Sequence, residues 1–181
     1  MRMKFLLVLS LSTLSCFCNA QVAPSTRGNL GGTVLTVGGG FSAFRPNYGT
    51  NEMYGFTAYS DFTFFHGLGV EAEGRSIFLN KWDNKVREDN FAGGARYEVI
   101  HHGQFRPYVK ALAGLGSIDF PGTIYTHDTF GMYSFGGGVD YRFTRRIYFR
   151  GDYEYSYWRH TFGPHDLNPN GVTLGVSYRI F

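Results

Sequence analysis

From Thr33 onward the chain alternates apolar and polar residues with period two. It does so in eight stretches: 33–44, 54–65, 68–79, 91–101, 105–118, 130–143, 147–159 and 171–181. Such alternation sends successive side chains to opposite faces, so each stretch is expected to be a β-strand. No stretch carries a sustained apolar stripe at helical spacing. The expected fold class is all-β.

The connections alternate too. His66-Gly67, His102-Gly103-Gln104 and Thr144-Arg145-Arg146 are short joints, whereas 45–53, 80–90, 119–129 and 160–170 are longer. Short and long joints in turn describe an up-and-down antiparallel meander, tight at one end and elaborated at the other. An outer-membrane barrel has this form, with short periplasmic turns and long extracellular loops. An even strand number would place the lead-in and the last strand's end on the periplasmic side. The mixed-charge stretch Lys81 to Asp89 is then expected to be an extracellular loop.

Strand parity separates two faces. Ile147, Phe149, Tyr153, Tyr155 and Tyr157 oppose Tyr148, Arg150, Asp152, Glu154, Ser156 and Trp158. Leu68, Val70 and Ala72 oppose Glu71, Glu73 and Arg75; Val172, Leu174, Val176, Tyr178 and Ile180 oppose Thr173, Ser177 and Arg179. A soluble lipocalin-like barrel would turn the apolar face inward. Two features favour the inverse: aromatics crowd the strand ends, as in interfacial girdles, and the polar face holds both signs of charge. That face collects Asp61, Glu71, Glu73, Glu98, Asp140, Asp152 and Glu154 against Arg75, Arg96, Arg106, Lys110, Arg142, Arg150 and Arg179. Seven acids against seven bases is what a confined, paired interior requires. With the 80–90 joint as a loop, Glu73 is expected across from Arg96 or its inward neighbour.

Composition adds an address. Of 181 residues, 43% are hydrophobic and 18% aromatic, and the mean hydropathy is −0.19, which excludes a helical membrane bundle. The one long apolar run, residues 5–18, follows Arg2 and Lys4 and leads to Cys18-Asn19-Ala20. This is the plan of a secretory signal peptide over residues 1–20, cut after Ala20; the residues before Cys16 and Cys18 suit lipidation poorly. Cleavage would remove both cysteines and leave 15 basic against 14 acidic residues, so neither a disulfide framework nor a nucleic-acid footprint is expected. Residues 21–32 form a polar lead-in to a barrel domain at 33–181. Gly38-Gly39-Gly40, Gly93-Gly94 and Gly136-Gly137-Gly138 fall within strands, where small inward residues make room for long side chains in a narrow barrel.

Three segments carry a family resemblance. Phe105 to Gly116 (FRPYVKALAGLG) is similar to the central R-P-Y-V strand of small OmpA-like (OmpX-type) eight-stranded outer-membrane β-barrels. Gly138-Val139-Asp140-Tyr141-Arg142-Phe143 resembles a later strand of that family, and Gly175 to Phe181 resembles its closing strand. The resemblance spans 33–181. It implies an outer-membrane location, contact with outer-membrane lipid, and recognition of the C-terminal strand by the barrel-assembly machinery. Ile180 departs from the pattern and sets Phe181 out of phase with the usual terminal aromatic.

Candidate chemistry is sparse. His66, His101, His102, His127, His160 and His165 show no H-x-x-x-H or H-E-x-x-H spacing, so no metal site and no cofactor is expected. His160 is followed by Thr161 and Phe162 rather than by a His-x-Ser arrangement, which argues against a lipid-hydrolysing nucleophile. Eight strands enclose an interior filled by side chains, with no wide pore. The expected role, implied by the resemblance, is structural and surface-interacting, without catalysis and with an unknown loop partner. A narrow porin-like channel or a lipid-modifying enzyme is the alternative, and a soluble lipocalin-like binder a third.

Overall fold

The computed structural model describes residues 32–46, 52–81, 84–99, 103–119, 127–162 and 165–181. The signal-peptide stretch, nearly all of the lead-in, and His101 and His102 lie outside the described residues. The described strands are β1 (Val34–Arg45), β2 (Met53–Phe65), β3 (Leu68–Lys81), β4 (Asn84–Glu98), β5 (Phe105–Asp119), β6 (His127–Arg142), β7 (Ile147–Phe162), β8 (His165–Leu167) and β9 (Asn170–Arg179).

From β1 to β8 each strand pairs antiparallel with the next in sequence, and β9 pairs with both β7 and β1, so the sheet closes on itself. The short β8 and the long β9 both pair with β7 and together make the eighth stave of the barrel. Pro169 explains the interruption: proline has no N–H to give the ladder, but its carbonyl still accepts from the Ser156 N–H at 2.8 Å. Closure satisfies the backbone within the sheet and leaves no open edge, which is what a lipid environment demands.

The expected long loops are shorter than the sequence pattern suggests. β3 and β4 stay in register to Lys81↔Asn84, so most of the expected 80–90 loop is paired strand. Likewise β5 and β6 pair as far as Asp119↔His127, and β8 occupies part of the expected 160–170 loop. Charged residues there do not oppose strand formation, because beyond the apolar belt both faces of a hairpin can be polar. Arg87 shows the arrangement: it stacks over Phe78 at 5.5 Å and bridges Asp89 at 2.7 Å. This tight hairpin also overturns one expected pair. Glu73 faces Ala92 and Arg96 faces Gly69, four residues away from the register that a long loop would have set.

The faces are inverted relative to a soluble barrel. Leu174 and Phe56 are each 69% exposed, whereas Lys110 and Arg75 are each 4% exposed. Apolar side chains point outward and charged ones inward. The interior has a second half that parity of charge alone did not suggest. Toward the long-connection end, Phe44, Met53, Ile77, Val86, Ala92, Leu112, Ile118, Met132, Trp158 and Leu167 form a buried apolar cluster inside the barrel. The glycines within strands make room for rings in particular. A Cβ on Gly116 would lie 2.3 Å from the Trp158 ring, and one on Gly38 would lie 2.6 Å from the Tyr59 ring. Both positions need glycine because an aromatic occupies the space over the backbone.

The assignment of faces makes a direct prediction. Val70 is 49% exposed on the outer face, so Val70→Arg should lower folding stability in bilayers by about 2–4 kcal/mol if it sits near the midplane. Equilibrium urea unfolding from lipid vesicles measures this. An unchanged midpoint would mean that Val70 does not face hydrocarbon.

Candidate functional site

At two places in the charged interior, neighbouring strands set like charges side by side. Asp61 on β2 is directly opposite Glu71 on β3, and Arg96 on β4 is directly opposite Lys110 on β5. Adjacent like charges are unfavourable on an open sheet. Curling the sheet into a barrel relieves them, because each acidic pair then looks across at cations.

Two tiers result. In the tier nearer the short turns, Arg96 and Arg150 bind Asp61, Glu71 and Asp140. Arg96 Nη1 lies 2.5 Å from Asp61 Oδ2, and Arg96 Nη2 pairs with Asp140. Arg150 Nε donates to Asp140 Oδ1 at 2.9 Å, and its Nη2 pairs with Asp61 across the barrel. In the second tier Lys110 Nζ meets four carboxylates: Asp152 at 2.6 Å, Glu73 at 2.7 Å, and Glu71 and Glu154 each at 3.0 Å. Arg75 pairs with Glu73 and lies 3.0 Å from Glu154. Glu71 touches both tiers, through Lys110 and, at 3.4 Å, through Arg150.

Aromatic rings back the guanidinium groups. Arg75 lies 3.8 Å from the Phe44 ring centroid, Arg96 3.8 Å from that of Tyr108, and Arg150 3.9 Å from that of Tyr59. A planar guanidinium can stack on a ring with its face while its edge reaches carboxylates. Above the ions lies a tier of hydroxyls. Ser42 bonds Thr57 at 2.5 Å and Thr173 at 2.7 Å, Ser134 bonds Ser156 at 2.8 Å, and Ser156 donates to Glu154 at 3.1 Å. The apolar cluster follows.

Of the fourteen residues assigned to the interior from sequence, ten sit in these tiers: Asp61, Glu71, Glu73, Arg75, Arg96, Lys110, Asp140, Arg150, Asp152 and Glu154. The other four lie at the short-turn mouth. Glu98 and Arg106 line a cavity there with Thr63 and His66, Arg142 is exposed, and Arg179 Nε contacts the Phe181 carbonyl oxygen at 3.2 Å. The tiers therefore hold six carboxylates and four cations, not seven of each. Glu73 and Arg96, expected to pair, each bind other partners. Sequence reasoning also missed buried Glu88, which lies in the stretch expected to be a loop, and, although it put Ser156, Thr173 and Trp158 on the inward face, it did not separate a hydroxyl tier and an apolar tier from the ions. Following each inward parity past the last charge would have found them.

Glu71, Glu73 and Asp152 converge closely enough to hold a cation. Lys110 Nζ already lies within 3.0 Å of all three, so an ammonium takes the central position. Among the histidines, His66 forms the β2–β3 turn with φ of 44° and packs edge-on to Phe65 at 4.0 Å. The side chains of His127, His160 and His165 lie outside the described residues.

Comparison with known proteins places this architecture. The crystal structure of Neisserial surface protein A is similar over 83% of this chain and 99% of that one, with 13% identity and a TM-score of 0.66. Ail, the attachment invasion locus protein of Yersinia pestis, solved with the heparin analogue sucrose octasulfate, is similar over 82% of this chain and 97% of its own, with 16% identity and a TM-score of 0.55. The N-terminal β-barrel domain of Pseudomonas aeruginosa OprF matches over 81% and 97%, with 17% identity and a TM-score of 0.55. At these identities the likeness is one of fold. No curated protein sequence matches significantly. The family model of the outer membrane protein beta-barrel domain matches residues 6–179, and the chain belongs to that family.

Proposed function

We propose that this protein is a sealed outer-membrane scaffold that presents its long hairpins at the cell surface and carries out no catalysis. The observation that carries this reading is the filled lumen. Ion pairs tie β2 to β7, β4 to β6 and β3 to β7 across the barrel, and Trp158, Met53, Phe44 and Met132 fill the half beyond them, each no more than 2% exposed. A conducting path would have to pass both tiers of ions and then the buried apolar tier. The interior hydroxyls of Ser134 and Ser156 are buried at 0% and 1% exposure, out of reach of a lipid substrate. The long hairpins supply the surface role, as in β3–β4, where pairing continues to Lys81↔Asn84. Two similar folds bear names that describe surface or attachment proteins, which supports the same role here. Recognition of the closing strand by the assembly machinery would have to read Phe181 one position out of phase, behind Ile180, both of which are exposed.

Three measurements test the proposal. Purified protein in planar bilayers should give no stepwise conductance, and reproducible single-channel steps would reject a sealed scaffold. Lys110→Met removes the cation that four buried carboxylates share, so it should cost about 3–5 kcal/mol in unfolding from vesicles, part of which Glu73→Gln and Asp152→Asn should restore. An unaltered unfolding curve for Lys110→Met would show that the interior ions are not struts. An epitope inserted between residues 81 and 84 should be labelled on intact cells with the barrel assembled. Labelling only after permeabilisation would reverse the orientation.

A further inference from the structure

The short-turn end of the barrel carries a cluster of arginines that the interior does not use. Arg142, Arg145 and Arg146 are exposed, and Arg179 is half-buried beside them, since its N–H bonds the Arg146 carbonyl at 2.7 Å. Neither 141–149 nor 175–181 contains an acidic side chain. Among the described residues, the exposed arginines of this end lie in one sector. The β2–β3 turn is His66-Gly67, and the described part of the β4–β5 connection is Gly103-Gln104.

The β6–β7 turn is rigidly built. Thr144 Oγ1 accepts from the Arg146 N–H at 3.3 Å and the Ile147 N–H at 3.0 Å, while the Phe143 and Thr144 N–H groups donate to the Ile147 carbonyl at 3.0 and 3.1 Å. Arg145 and Arg146 are thus projected from a fixed backbone. Arg146 turns toward the outer face, where Nη1 donates to Tyr178 Oη at 2.9 Å. Tyr178 is 44% exposed and sits in a belt with Phe143, Phe149, Ile180 and Phe181, each 45% to 62% exposed. Its oxygen is occupied as an acceptor, so its own O–H is left to donate outward. A guanidinium pair and a phenol at the border of an aromatic belt stand at headgroup depth.

We propose that Arg145, Arg146 and Tyr178 form a binding site for the phosphodiester of an anionic phospholipid in the periplasmic leaflet. Guanidinium groups match a phosphodiester with paired N–H donors, and the adjoining rings accept the acyl chains. Choice of a phospholipid over a lipopolysaccharide rests on the orientation proposed above, in which short turns are periplasmic. The site would tie one sector of the rim to the inner leaflet and orient the barrel in the membrane plane.

Native mass spectrometry of the full chain folded in detergent micelles, titrated with phosphatidylglycerol or phosphatidylcholine, tests this. Phosphatidylglycerol should bind about tenfold more tightly, with the preference weakening as salt rises. Arg145→Ala with Arg146→Ala should abolish the preference and Tyr178→Phe should reduce it, while the long-connection control Arg87→Ala should keep it. Heat-dependent gel mobility confirms that each variant is folded, and Arg145→Lys with Arg146→Lys provides a second, charge-retaining variant expected to keep part of the preference. Equal affinity for the two lipids, or a preference that survives loss of both arginines, would overturn the site. If lipopolysaccharide bound in an Arg145- and Arg146-dependent way where phosphatidylglycerol did not, the phospholipid assignment would fall. The epitope experiment would then decide separately whether the orientation had failed too.

Discussion

Lys110 is the point on which the interior depends. Its ammonium lies within 3.0 Å of carboxylates from β3 and β7, so one side chain on β5 fastens strands on both sides of it. An ammonium suits that position because it is compact and can direct donors to several partners around a point. The arginines do a different job. Each is a flat group lying against a ring, with Arg75 on Phe44, Arg96 on Tyr108 and Arg150 on Tyr59, so their charge is delivered edgewise across the lumen. Exchanging the two types would leave carboxylates around Lys110 without a shared centre, or rings without a flat partner.

The lumen is graded from one end to the other. Ion pairs give way to hydroxyls, with Arg75 Nε reaching Thr57 Oγ1 at 3.3 Å as the link, and hydroxyls give way to the apolar cluster around Trp158. Buried charges need their partners held in place, and an apolar lid that keeps out water strengthens each pair it covers. The apolar tier is therefore more than filler. It places the ion pairs in a drier setting on one side, while the short-turn mouth retains a cavity lined by Glu98 and Arg106. The closed scaffold proposed above rests on this asymmetry, because a channel needs both ends open to the same path.

Much of this was legible in the residues. Period-two alternation located every long strand, since a one-residue error in phase would move charges such as Glu73 and Arg150 to the lipid face. Partners were not legible, because they depend on hairpin register, and register depends on where pairing stops. The stretch Asn80 to Asn90 looks like a loop by its charges, yet its described residues are strand outside the apolar belt, where polarity carries no information about pairing. A shift of four residues there leaves every face unchanged while exchanging the partners of Glu73 and Arg96. Phase was robust, and pairing was not.

The same distinction separates what the barrel can vary from what it cannot. Gly116 must remain small because Trp158 lies over it, and Trp158 must remain large because it fills the tier that covers the ions. Residues of the tiers are bound to one another across the lumen, so a change at one calls for a change at its partners. Beyond the apolar belt the β3–β4 hairpin is held by its backbone ladder, which does not depend on side-chain identity. Its tip can therefore change sequence without loosening the interior. On the role proposed above, recognition would reside in the hairpins and stability in the lumen, and each could change without the other.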